Sequence, residues 1–92
     1  MIESIKHKGL RQLFEDDNLK GVSAEHVRKI RQILAVLHAA ETIDAIDLPT
    51  FGLHPLKGNL RGFWAVTVRA NWRIIFRFEN GKAFDVDLVD YH

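Results

Sequence analysis

Hydrophobic positions keep one period in the first two-thirds of the chain and another in the last third. Leu10, Leu13 and Phe14 stand three and four residues apart, the spacing of one helix face, and predict a short helix near Lys8 to Glu15. Gly9 marks its entrance and Gly21 the turn that follows. Ser23 then offers an N-cap, and Glu25 puts a carboxylate in the first helical turn, where the helix dipole favours it. Val27, Ile30, Leu34 and Leu37 keep one apolar stripe while His26, Lys29, Gln32 and Ala40 fall off it, which predicts an amphipathic helix of about four turns. His38 lies beside that stripe as an ordinary helix-surface residue. Ile43, Ile46 and Leu48 suggest one further turn before Pro49 ends it.

From Gly62 the period becomes two. Trp64, Val66 and Val68 alternate with Phe63, Ala65, Thr67 and Arg69. Trp72, Ile74, Phe76 and Phe78 alternate with Arg73, Ile75 and Arg77, and Phe84, Val86 and Leu88 alternate with Asp85, Asp87 and Val89. Three strands follow. Asn80 and Gly81 mark the last hairpin, yet a two-residue loop there would set Phe76 against Asp85 and turn one strand inside out. A three-residue loop over Asn80 to Lys82, or an equivalent bulge, is therefore expected. It pairs Phe78 with Phe84, Phe76 with Val86, Ile74 with Leu88 and Arg77 with Asp85. Arg73, Ile75, Arg77, Asp85, Asp87 and Val89 then share the face away from the helices. The reading is an α+β layer fold: two N-terminal helices packed on a small antiparallel sheet, with one more strand at the N-terminus.

Ninety-two residues, 47% hydrophobic and 27% charged, are expected to form a single domain, 1–92. The absence of Cys removes disulfides, thiol nucleophiles and Cys-ligated zinc. The longest apolar run, Ile33 to Leu37, is five residues against the roughly 20 a bilayer needs. Met1-Ile2-Glu3-Ser4 is no basic-then-apolar leader, so no membrane role is expected and the cytoplasm is the expected compartment. A net charge of +1 says little, but its distribution says more. His54 to Phe78 holds five cations, Lys57, Arg61, Arg69, Arg73 and Arg77, and no carboxylate. Interleaved with Phe63, Trp64, Trp72 and Phe76, they make a tract able to hold a polyanion.

Three places carry chemistry. In His54-Pro55-Leu56-Lys57-Gly58, proline keeps His54 out of the helical region and presets a β-turn. His54 and Lys57 are then expected at the two ends of one turn, with Cα atoms less than about 7 Å apart. Asp90-Tyr91-His92 places an imidazole beside Asp90 and the α-carboxylate, an anionic setting that favours the protonated ring and suits acid or base work. Arg73, on the outer face, either pairs with a carboxylate of the next strand or grips a phosphate with its planar fork. There is no GxSxG, no phosphate-cradling glycine loop, no HExxH and no carboxylate cluster for two metals, so neither metal nor cofactor is expected.

The stretches His-Pro-Leu-Lys-Gly (54 to 58), Trp-Ala-Val-Thr-Val-Arg-Ala-Asn-Trp-Arg-Ile (64 to 74) and Val-Asp-Tyr-His (89 to 92), with Ile-Lys-His-Lys-Gly-Leu (5 to 10) at the start, resemble the HigB branch of the RelE/ParE toxin superfamily. The resemblance implies a microbial-ribonuclease-like α+β fold and the toxin half of a bacterial type II toxin-antitoxin pair. It implies an endoribonuclease that cuts mRNA in the ribosomal A site, neutralised by a helix-turn-helix antitoxin like HigA. Position by position it points to His54, Asp90, Tyr91 and His92 as the catalytic set and to Lys57 and Arg73 as supports for phosphate charge. Metal-free cleavage needs a base for the 2′-OH proton, an acid for the leaving 5′ oxygen and cations for the phosphorane between them. The two histidines fit as base and acid in either order, Asp90 as the orienter of an imidazole, and Tyr91 as a stacking or hydrogen-bonding group. The rival readings are a toxin that inhibits DNA gyrase by binding and a non-catalytic interaction module.

Overall fold

The computed structural model describes residues 1–91. Two helices, α1 (Lys8–Asp16) and α2 (Val27–Ala39), precede four strands, β1 (His54–Pro55), β2 (Trp64–Arg69), β3 (Trp72–Glu79) and β4 (Lys82–Asp90), which form an antiparallel sheet in the order β1-β2-β3-β4. The expected N-terminal strand is a short parallel ladder. Ile2 and Ile5 bridge Ala83 and Val86, with Glu3 N–H on the Ala83 carbonyl at 2.8 Å and Lys6 N–H on that of Val86 at 2.7 Å. These bonds cover the outer edge of β4, which would otherwise offer unpaired backbone groups.

The start of α1 is held by His7, whose Nδ1 accepts the Leu10 N–H at 3.1 Å. Gly9 lets the helix lie directly on the next turn: a Cβ there would sit 2.1 Å from the Gly21 carbonyl oxygen. Ser23 stands at the expected N-cap position, but its side chain makes no capping bond, and a 3₁₀ turn, Ala24–His26, leads into α2. A 3₁₀ turn at Ile43–Ile46 replaces the further helical turn expected before Pro49. The core joins Leu10 and Leu13 of α1 and Ile30, Ile33, Leu34 and Leu37 of α2 to Val66, Val68, Ile74, Phe76, Ala83 and Val86 of the sheet. Ile33 widens the predicted stripe of α2, while His26 and Ala40, placed off it, are buried at its two ends.

The last hairpin departs from expectation in an informative way. Its loop is the two-residue Asn80-Gly81, with φ of 52° and 76°, the pairing that matches strand twist. Glu79 therefore faces Lys82, Phe78 faces Ala83 and Arg77 faces Phe84. Alternation is restored by a bulge in β4 centred on Asp85 (φ 54°), after which Ile75 faces Asp87 and, as expected, Ile74 faces Leu88. The predicted pairing of Phe78 with Phe84 is corrected: Ala83 takes the buried place, and Phe84 lies under Arg77, whose guanidinium is 5.3 Å from the ring centre. Arg77 still meets Asp85, Nε to Oδ2 at 2.9 Å.

The outer face is also less open than alternation implied. Leu56, Ala65 and Ile75 are buried together there, with Leu60, Phe63 and Val89 packed around them. The segment after β1 packs on this face through Leu56, Leu60 and Phe63.

Candidate active site

Phe51 anchors the approach to β1. Its side chain is fully buried, its N–H donates to the Leu48 carbonyl at 2.9 Å, and its carbonyl accepts the Thr67 N–H at 2.7 Å. Gly52 follows at φ +59°, in the left-handed region that glycine tolerates. His54 and Pro55 then run extended, opposite Ala65 and Trp64, and Leu56 N–H donates to the Phe63 carbonyl at 2.9 Å. The β-turn expected from His54 to Lys57 is not formed. Proline did exclude the helical region, but the buried Leu56 draws the chain along β2, and the chain turns only at Gly58–Leu60. His54 and Lys57 are consequently roughly 10 Å apart along an edge strand, and Lys57 is exposed at the start of the following turn.

Because paired residues share a face, His54 lies on the outer face in one row with Ala65, Ile75 and Asp87. Its ring is exposed, with Nδ1 2.9 Å from the Gly52 carbonyl oxygen. Arg73 belongs to the next row, between Thr67 and Val89. Strand spacing and rise put its Cα about 12 Å from that of His54. The guanidinium turns back on the β2–β3 turn, where Nη1 donates to the carbonyls of Ala70 and of Trp72, the latter at 3.2 Å. Its Nε is buried and has no hydrogen-bond partner among the described residues. Among the described residues, the ion pair seen between β3 and a carboxylate of β4 is that of Arg77 with Asp85.

The end of the chain is drawn to the same corner. Asp90 closes β4 opposite Trp72, and Tyr91 N–H donates to the Asn71 carbonyl at 2.7 Å. By alternation Asp90 lies on the helix side of the sheet, while Val89 and Arg73 share the outer side. The Tyr91 side chain is 42% exposed. His92 lies outside the described residues. The fold thus gathers Arg73, Asp90 and Tyr91 at the β2–β3 corner, sets His54 one row away, and holds Lys57 on the far side of His54.

Two contributors were not singled out beforehand. Asn71 holds Tyr91 through its backbone, a contact no side-chain pattern reports. Gly52 meets the His54 ring, and its only trace in the sequence is a glycine two residues before a histidine. Trp72, already named among the aromatics of the basic tract and assigned to the apolar face, is 37% exposed at the sheet end, 6.1 Å from the buried His26 ring. What the corner offers is an imidazole and a guanidinium on the outer face of the sheet, with a phenol and a carboxylate at the end of β4 beside them, groups able to move protons beside an anion.

Comparison with known proteins agrees with the architecture and narrows it. The family described as "RelE-like toxin of type II toxin-antitoxin system HigB" matches residues 3–92. Among curated proteins, "Endoribonuclease HigB" of Proteus vulgaris is 47% identical over 92 residues, covering all of both chains. "Toxin HigB-1" of Vibrio cholerae is 28% identical over 90 residues, 96% of this chain and 95% of that protein. Among solved structures, a mutant of YafQ from E. coli superposes with a TM-score of 0.66 at 17% identity, over 98% of this chain and 91% of that one. A copper-bound mutant toxin from Helicobacter pylori superposes with a TM-score of 0.60 at 17% identity, over 98% and 94%. At that identity the two structures speak for the fold alone. Sequence motifs, fold and a match running almost end to end converge, and the chain belongs to the HigB-like family of RelE-like toxins of type II toxin-antitoxin systems.

Proposed function

We propose that this toxin is an endoribonuclease that cuts mRNA in the ribosomal A site by attack of the 2′-OH on the neighbouring phosphate. The observation that carries the reading is the placement of His54 and Arg73 on one face of the sheet, in a chain 47% identical over its whole length to a protein named an endoribonuclease. His54 and His92 serve as base and acid. Arg73 and Lys57 stabilise charge on the phosphorane, Asp90 orients an imidazole, and Tyr91 stacks on a base or donates a hydrogen bond. The products are a 2′,3′-cyclic phosphate and a 5′-OH. A net charge of +1 provides little counterion release on naked RNA, which favours a substrate already held by the ribosome. As the toxin of a type II pair the protein has an antitoxin partner, for which we propose a helix-turn-helix protein; the site of action is then the cytoplasm.

Mapping transcript 5′ ends after brief expression tests this reading. New ends should cluster within translated frames, and His92→Gln should lose them by about 10²-fold or more with unchanged circular dichroism. Ends that are unchanged on expression, or that fall equally in untranslated RNA, would refute the ribosome-dependent nuclease.

A further inference from the structure

The contact between His54 and Gly52 bears on which ring nitrogen carries the proton and which is left to exchange one. A carbonyl oxygen can only accept. A nitrogen 2.9 Å from the Gly52 oxygen is hydrogen-bonded to it only if that nitrogen, Nδ1, carries the proton. In the neutral ring Nε2 then holds the lone pair, on the opposite edge of an exposed side chain. We propose that Gly52 is a positioning residue that holds His54 in the Nδ1–H form, so that Nε2 is the general base of the cleavage step. This rests on the endoribonuclease reading above.

The local backbone makes the carbonyl a fixed partner. Phe51 is buried and bonded through both its N–H and its carbonyl, so the peptide entering Gly52 cannot rotate freely. Gly52 at φ +59° turns its own carbonyl toward the residue two positions on, while Pro55 keeps His54 extended. A side chain at position 52 would face Thr67 Oγ1 at 3.3 Å in a backbone conformation that L residues rarely adopt. The Nδ1–H bond also survives protonation of the ring, because Nδ1 is a donor in both states. Nε2 therefore accepts and releases a proton with no rotation of the imidazole.

In the reaction, His54 Nε2 takes the 2′-OH proton as O2′ bonds to phosphorus. The P–O5′ bond breaks with its electron pair on O5′, which takes a proton from the acid. With the base assigned to His54, that acid comes from the terminal stretch of Tyr91 and His92.

Two measurements decide it. Long-range proton-nitrogen correlation spectra of the full-length protein, at a pH where the ring is neutral, should show Nδ1 protonated and Nε2 bare; a dominant Nε2–H ring would overturn the proposal. In single-turnover cleavage of ribosome-bound mRNA, the rate should rise with pH, as a step that needs a general base does. His54→Asn keeps a donor near the Nδ1 position but no base, and should lose about 10²-fold or more together with that rising limb. A limb that persists in His54→Asn would overturn the base assignment. Gly52→Ala should slow cleavage at least about tenfold and shift the ring toward Nε2–H. If that variant does not fold, the spectrum of the unmodified protein still decides the tautomer. An unmodified toxin that cuts no RNA would refute the endoribonuclease reading and the base role with it, while the spectrum reads the tautomer independently.

Discussion

Asp85→Val tests whether the bulge in β4 sets the register on which the site depends. Asp85 occupies the left-handed region at φ 54°, which costs an L residue roughly 1–2 kcal/mol and is tolerated best by Asp, Asn and Gly. A β-branched side chain there is an outlier. The substitution also removes the Arg77 Nε to Asp85 Oδ2 bond at 2.9 Å between side chains 37% and 34% exposed, a pair worth only about 0.5 kcal/mol at that exposure. The backbone bond from Asp85 N–H to Ser4 Oγ, 2.8 Å, is kept as long as the bulge persists. The expected loss is about 2 kcal/mol, or about 8–16 °C in Tm for a domain of this size. Asp85→Asn loses the ion pair but keeps the conformation, and should melt within about 4 °C of the unmodified protein. Thermal denaturation followed by circular dichroism reads both. If the Val and Asn variants melted together, the strained residue would not be what holds the ladder, and the account of the register would be wrong.

Other expectations follow from single contacts. Gly9→Ala drives a Cβ to 2.1 Å from the Gly21 oxygen and should cost about 3 kcal/mol, whereas Gly58→Ala, with open space around it at φ +64°, should cost about 1 kcal/mol; comparison of denaturant midpoints separates them. Leu56→Ala empties the small cluster with Ala65 and Ile75; it should lose about 2 kcal/mol and slow cleavage beyond its unfolded fraction at 25 °C, because the segment carrying His54 and Lys57 loosens. Arg73→Ala should reduce single-turnover cleavage by about 10²-fold or more. Its Tm should fall by less than about 8 °C, since the Ala70 and Trp72 carbonyls it leaves can bond water instead.

Periodicity carried far because burial acts on it directly. The helix of Leu10, Leu13 and Phe14, the stripe from Ile30 to Leu37 and the alternation of Val66, Ile74, Phe76 and Val86 each face one core, so each left its period in the chain. The candidate site was legible as residue types. His54, Lys57, Arg73, Asp90 and Tyr91 were all named from short motifs, but their arrangement was not readable. The bend at Pro55 read locally as a β-turn; the competing pull of Leu56 toward Ala65 and Ile75, residues distant in sequence, straightened it. The hairpin read locally as needing an odd loop; the structure keeps Asn80-Gly81 and inserts the extra residue at Asp85, where Ser4 meets the Asp85 N–H from the other end of the chain.

The amino-acid sequence alone determined the layers, the order of the elements and the chemical groups on offer, since these follow from the period of apolar residues and from side-chain identity. Tertiary structure decided which groups meet. The contact of the His54 ring depends on a carbonyl held beside a buried Phe51, and the position of Tyr91 on a backbone bond to Asn71. Backbone carbonyls are the same at every residue, so no sequence pattern marks which one will be aimed at a ring or a strand end; only packing at a distance fixes that direction.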